Sequence, residues 1–348
     1  MEMTIQSLAG RSYDLIVFSP HLDDAVLSCG GRIRAAVEAG ASVLVVTAFS
    51  GGFRRQRENA GALSAFADMT LRREEDRAAM DTLGCDRLWL GHEEAIERSR
   101  RYRTLPGMVS RVLCDDRPLL ESLRRQIAAI STAGPEARLL FPLGVGNHVD
   151  HQILFTLSLS FSGSPGRRNG LREPARPWDR ARVRYYEEQP YVFIPFLLEH
   201  RLRALRAHVP AAARPPDLEL GRRATDLARR CSSAIMEVPI IRTEILPSQR
   251  PLLRALVLAV VLWSRLGSGR LHAVQGPWTH SLVPEHVDIT DQMPVKLRAA
   301  ASYRSQIPAL FGDPEAYQRA ALAFSARIGE KPGRFRERFW TAAPRSAG

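Results

Sequence analysis

The first half of the chain alternates short unbroken apolar runs with segments whose apolar positions recur at helical spacing. Leu15-Ile16-Val17-Phe18 is the first such run. A strand without polar interruption is expected to be covered on both faces. A helical pattern follows over about residues 25–39 and stops at Gly40. Val43 to Val46 reads as a second buried strand, running into the loop Ser50-Gly51-Gly52. Arg72 to Leu83 has helical spacing with Gly84 just past its end. Leu88-Trp89-Leu90 gives a third strand. Pro118 opens a further helix with Leu119, Leu120, Leu123, Ile127 and Ile130 at helical spacing, and Leu139-Leu140-Phe141 is a fourth strand. This rhythm predicts an α/β fold: a Rossmann-like, mostly parallel sheet with helices on both faces.

Past this point the pattern loosens. Residues 163–181 are rich in Gly, Pro and Arg and read as a surface loop. Strand character resumes at Val183 to Tyr186. Pro195 to about Arg230 and Lys296 to Phe324 read as helical. The expected organisation is a Rossmann-like core over 12–162, the loop 163–181, and a largely helical C-terminal extension over 182–340 that completes the same domain. Leu252 to Leu262 is apolar except for Arg254 and too short to span a bilayer. A buried helix is expected there, with contact to a membrane surface as the alternative, and no transmembrane segment.

Composition adds a charge bias. With 45% hydrophobic residues the 348-residue chain can build a large core, and 49 Lys+Arg against 37 Asp+Glu leave a net charge of +12. Nearly all the cations are arginine, which suits phosphate and carboxylate partners. No aromatic-basic stacking pattern or DNA-reading motif accompanies them, so no nucleic-acid partner is expected. An acidic carrier protein or a phosphorylated substrate remains compatible with the charge. Cys29, Cys85, Cys114 and Cys231 lie far apart, with no CxxC pair. That spacing suits free thiols in a cytoplasmic setting, and the N-terminus shows no signal-peptide pattern.

The chemistry gathers at two strand ends, where ligands sit in open parallel sheets. Ser19-Pro20-His21-Leu22-Asp23-Asp24 follows the first strand, and Gly146-Asn147-His148-Val149-Asp150-His151 follows the fourth. Both offer imidazole and carboxylate at close spacing, donors that Zn²⁺ accepts. Two ligands from one loop and one from the other would leave an open coordination position and spare acid–base groups beside it. Singly, these residues are ordinary, since an Asp at a helix start is often only a cap.

SPHLDD and NHVDHQ resemble the two signature segments of the PIG-L/LmbE family of zinc-dependent N-acetylglucosaminyl deacetylases. Arg72-Arg73-Glu74-Glu75 resembles the family's Arg-x-x-Glu helix. Lys296-Leu297-Arg298-Ala299 with Tyr303-Arg304-Ser305-Gln306 resembles its Lys-x-x-Ala…Tyr-x-Ser-Gln signature. The likeness covers roughly residues 12–160 and 296–306. It departs at Leu22, which stands for a Pro, and at Ala25, which stands for a Glu that would orient the ligands.

The resemblance implies a Rossmann-like metal-hydrolase core and removal of an N-acetyl or related N-acyl group from an amino-sugar conjugate or secondary metabolite, antibiotic tailoring included. It implies His21, Asp24 and His151 as zinc ligands, Asp23 as general base, and His148 as a cationic imidazole that steadies the oxyanion. Asp150 is expected to partner the site without ligating. Arg72, His92 and Arg54 are candidate substrate contacts. Ser50 to Gly52 is a further candidate for contact with a hydroxyl or phosphate. Plainer roles stand beside three of these: an Arg72–Glu75 helix-face pair, a solvated charge run over Phe53 to Arg57, and a simple turn at Ser50 to Gly52. Tyr185 to Tyr191 resembles a Tyr-Glu-x-x-Pro-Tyr segment, either a substrate wall or a packed strand end. Two other functions compete. A nucleotide-binding transferase would carry a GxGxxG turn where HLDD stands. A non-catalytic binding module is favoured only by Ala25.

Overall fold

The computed structural model describes residues 1–52, 68–161, 180–215, 218, 223–244, 247–265, 280–329 and 333–344. The strands are β1 (Glu2–Met3), β2 (Leu15–Ser19), β3 (Val43–Thr47), β4 (Asp86–Trp89), β5 (Arg138–Pro142), β6 (Val183–Tyr186), β7 (His280–Asp288) and β8 (Arg336–Pro344). They form one sheet in the order β1-β4-β3-β2-β5-β6-β8-β7. All neighbours run parallel from β1 to β6; β8 is antiparallel to both β6 and β7. The expected mostly parallel α/β fold is what the chain adopts.

Alternate residues of the inner strands feed two separate cores, as the two-residue period of a pleated strand requires. Ile16, Phe18, Leu44, Val46, Leu139 and Phe141 face α3 (Arg117–Ile130) and α4 (Val149–Phe161). Leu15, Val17, Val43, Val45 and Leu140 face α1 (Asp24–Glu38) and α2 (Met69–Leu83), joined by α8 (Met293–Ala301). Gly31 sits inside α1 where a Cβ would lie 2.6 Å from the Ile289 side chain. The backbone entropy a mid-helix glycine costs is exchanged here for close packing of the segment leading into α8.

The C-terminal third departs from the sequence reading. β7 and β8 were not legible as strands: β7 carries Pro284 and lies at the sheet edge, where a missing N–H is tolerated. Residues 195–230 are not one helical run. α5 (Leu197–Ala204) ends at Arg206, whose φ of 53° closes the last turn, and α6 (Ala224–Glu237) begins well after Pro210. α7 (Arg250–Arg265) is not a buried helix. Val257 and Val261 pack onto Ile194, Phe196, Leu227 and Cys231, while its other face meets solvent. Among the described residues no helix is long and apolar enough to cross a membrane. The loop expected at 163–181 lies outside the described residues as far as 179.

Candidate metal centre

The chain runs from β2 outward to β3 and β4, then returns to place β5 on the opposite side of β2. That reversal opens a crevice at the carboxyl ends of β2 and β5, the usual ligand position in such sheets. His21, Asp23 and Asp24 follow β2 directly, and His148, Asp150 and His151 lie just after β5 at the start of α4. The loop after β2 is tied down. Ser19 Oγ donates to the His21 carbonyl at 2.6 Å and accepts from Ala25 N at 3.1 Å. The Tyr303 hydroxyl lies 2.6 Å from the Leu22 carbonyl and 2.8 Å from Asp76 Oδ1.

The ring nitrogens of His21, His148 and His151 bring ligating atoms within 4.8 Å of one another, so these three could hold a metal ion. Asp24 enters the same space: its Oδ2 lies 3.0 Å from His21 Nδ1 and 3.3 Å from His151 Nε2. The outer nitrogens face further carboxylates. His21 Nε2 is 3.1 Å from Asp150 Oδ2, and His151 Nδ1 is 3.3 Å from Glu188 Oε1. A carboxylate only accepts, so a neutral ring, with its single N–H, is left turning a lone pair toward one of its two carboxylates. Buried His151 Nε2 has no hydrogen-bond partner in the structure. Lone pairs facing a carboxylate call for a cation. Burial lowers a histidine's pKa, yet Asp24 and Glu188 overcome it and hold His151 up at about 9. The donor set therefore fits a metal cation, for which a proton otherwise stands in.

His148 differs. Its Nδ1 accepts from the Asp150 backbone N–H at 3.3 Å, which leaves the neutral ring with its proton on Nε2 as a donor. Burial pushes its pKa down to about 3, with Asp150 opposing and the His21 and His151 rings adding to the fall. Where the family resemblance implies a cationic imidazole, these surroundings favour a neutral N–H. Asp23 stands at the start of α1 without capping it. Burial and repulsion from Asp24 raise its pKa to about 6, against the pull of Arg72 and His21. Asp150 accepts from Ala95 N at 2.9 Å and forms an ion pair with Arg98 Nη2 at 2.7 Å. Burial would raise Asp150, but Arg98 and His21 hold it below the usual carboxylate range.

Arg72 does not pair with Glu75. Its guanidinium, 2% exposed, binds Glu94 and reaches Asp23 at 3.9 Å, whereas Glu75 holds Ser305. His92 turns its imidazole onto Gln126 of α3 at 2.7 Å. Arg54, with the whole run from 53 to 57, lies outside the described residues. Gly51 is more than a turn: a Cβ there would sit 2.0 Å from the Gly91 carbonyl oxygen, so only glycine allows this approach. Three groups escaped the sequence reading. Glu188 accepts from Gly144 N and Val145 N (2.9 Å) as well as facing His151. Glu94 binds Arg72, and Arg98 holds Asp150. Glu188 lay within the Tyr185–Tyr191 segment, whose Tyr191 ring packs edge-on to His151 at 5.6 Å. Ala25 is buried in apolar surroundings. The carboxylates on the outer imidazole nitrogens are Asp150 and Glu188.

Residues 16–161 match the family model described as PIG-L, GlcNAc-PI de-N-acetylase. No curated protein matches the chain. Among solved structures, the A40926 pseudoaglycone deacetylase Dbv21 is 18% identical with a TM-score of 0.52, covering 97% of this chain and 100% of that one. A deacetylase–teicoplanin complex of the teicoplanin pathway is 17% identical with a TM-score of 0.53, covering 95% and 99%. A deacetylase–bog complex of that pathway is 19% identical with a TM-score of 0.56, covering 96% and 99%. At these identities the likeness is one of fold.

Proposed function

We propose that this chain, whose residues 16–161 are a PIG-L family domain, is a zinc-dependent N-deacetylase acting on an N-acylated amino sugar within a glycoconjugate. The observation that carries this reading is the convergence of His21 Nδ1 and His151 Nε2 on Asp24 Oδ2, with Asp23 and His148 beside them. His21, Asp24 and His151 would hold the ion, because His148 Nδ1 is already an acceptor and its other nitrogen a donor. Zinc, when bound, polarises the amide carbonyl and lowers the pKa of water toward about 7. Asp23 takes the proton from water as its oxygen attacks the acyl carbon. His148 Nε2–H donates to the oxyanion that forms. The C–N bond then breaks, and the proton held by Asp23 passes to the departing amine, leaving a free amine and a carboxylic acid that gives its remaining proton to solvent.

The carboxylate of Asp23 is kept aimed by Arg72, itself fixed by Glu94. The teicoplanin-bound neighbour supports seeking the substrate among N-acylated glycoconjugates of antibiotics. The cysteines, all unpaired, support a reducing, cytoplasmic setting. A nucleotide-binding transferase is disfavoured, since side chains that suit a cation fill the crevice where a phosphate would lie.

The zinc-loaded and chelator-stripped proteins should be incubated with N-acetylated and longer N-acylated aminosugar conjugates and followed by mass spectrometry. Loss of one acyl group with the loaded protein alone is expected, and an inert loaded protein across the panel would overturn the reading. His21→Ala, Asp24→Ala and His151→Ala should each deplete the roughly one zinc per chain, because a three-ligand site cannot spare one. Unchanged metal content in all three would remove the assignment. Glu188→Gln should weaken metal affinity about 10–100-fold, measured by chelator competition, since a mixed donor–acceptor amide no longer fixes the His151 tautomer. Equal affinity would leave Glu188 with a purely structural role.

A further inference from the structure

Four of the six large apolar side chains that stand exposed among the described residues lie on α7: Leu252 at 72%, Leu256 at 52%, Val260 at 40% and Leu262 at 43%. Leu252, Leu256 and Val260 are four residues apart, with exposed Ala255 and Ala259 between them, so they form one stripe along the helix. The opposite stripe of Val257 and Val261 is spent on packing against α6. α7 contains no acidic residue and bears Arg250 and Arg254 in its first turns. The surrounding chain is as one-sided. Residues 201–270 hold thirteen arginines, no lysine and five acids, which is eight of the net twelve positive charges.

We propose that α7 docks the protein on an anionic lipid surface, lying in the plane of the headgroups with its Leu and Val stripe turned into the acyl boundary. At sixteen residues the helix is about 24 Å long, short of the ~20 residues a span requires, so it lies on a bilayer and does not cross one. Charge and shape select this occupant. A second copy meeting the same face would bring two strongly basic segments together, which like-charge repulsion opposes. Among the described side chains of α7 the outward positions are Leu, Val and Ala, with none of the aromatic anchors that concentrate binding energy in protein interfaces. Aliphatic stripe and flanking arginines together match an interfacial helix, drawn in by anionic headgroups and retained by apolar burial. This inference is independent of the deacetylase reading.

The full-length protein should be sedimented with phosphatidylcholine vesicles and with vesicles containing phosphatidylglycerol, at low and physiological salt. Binding to the anionic vesicles, weakening as salt rises, is expected. The variant Leu256→Asp/Val260→Asp should lower the partition coefficient about tenfold or more. Both sites are exposed, so its thermal transition and zinc content should match the parent. Three outcomes overturn the proposal. One is absence of vesicle binding by the parent. Another is equal binding by parent and variant, which would mean charge attraction without docking. The last is a parent dimer that ignores vesicles and becomes monomeric in the variant, which would assign the face to a second copy.

Discussion

Asp23→Asn is expected to keep its zinc and lose most turnover, by about 10²–10⁴-fold, the usual contribution of a positioned general base. Asparagine matches aspartate in size and can occupy the start of α1 equally well, so the ligand loop should not shift. What it lacks is a lone-pair oxygen basic enough to take a proton from water. The surroundings suit the native carboxylate to proton transfer. Burial and Asp24 raise its pKa to about 6, close to working pH, while Arg72 limits the rise. Metal analysis and kcat should be measured on the same preparation. Near-parental turnover with full zinc would place the base on another residue; loss of both together would make Asp23 a ligand.

Lys296→Met is expected to cost about 3–5 kcal/mol of stability, the penalty for stranding one member of a buried ion pair. Lys296 Nζ lies 2.8 Å from Glu337 Oε1, and both side chains are 1% exposed. Glu337 also accepts from Gly31 N at 2.9 Å and Arg32 N at 2.8 Å, so it bonds the backbone of α1 from β8. Methionine fills the space but leaves that carboxylate without its cation. Lys296→Met/Glu337→Gln should recover part of the loss, since an amide can still accept from one backbone N–H without a buried charge. Denaturant midpoints for the parent, single and double variants test this. A single variant unfolding with the parent would show that the pair contributes nothing net.

The metal-site candidates were legible because they cluster. His21, Asp23 and Asp24 occupy one loop, His148 and His151 another, and both loops follow apolar runs readable as neighbouring parallel strands. Glu94 and Arg98 were not, because each reaches the site only through the folded sheet and neither stands in a local pattern; Glu188 lay in the recognised Tyr185–Tyr191 segment, but at one of its unspecified positions. The Lys296…Tyr303…Ser305 segment was recognisable as a signature, but its role was not. It fastens the chain's later part to α1, α2 and the ligand loop through Glu337, Asp76, Leu22 and Glu75. β7 and β8 were hidden for a different reason. Antiparallel strands at one side of the sheet carry mixed polar and apolar residues, so the unbroken apolar run that marked β2 and β3 is missing.

The clamp on α1 has a consequence for how the protein is made. Every residue assigned to the metal has left the ribosome's catalytic centre once His151 is joined, whereas Glu337 follows 186 positions later. At about 5–20 residues per second, that interval lasts roughly 10–40 s. Throughout it, Gly31 and Arg32 wait for the carboxylate that receives their N–H groups. During synthesis the nascent chain thus carries every proposed metal donor while α1 still lacks its anchor, and translation of β8 is the event that fastens it.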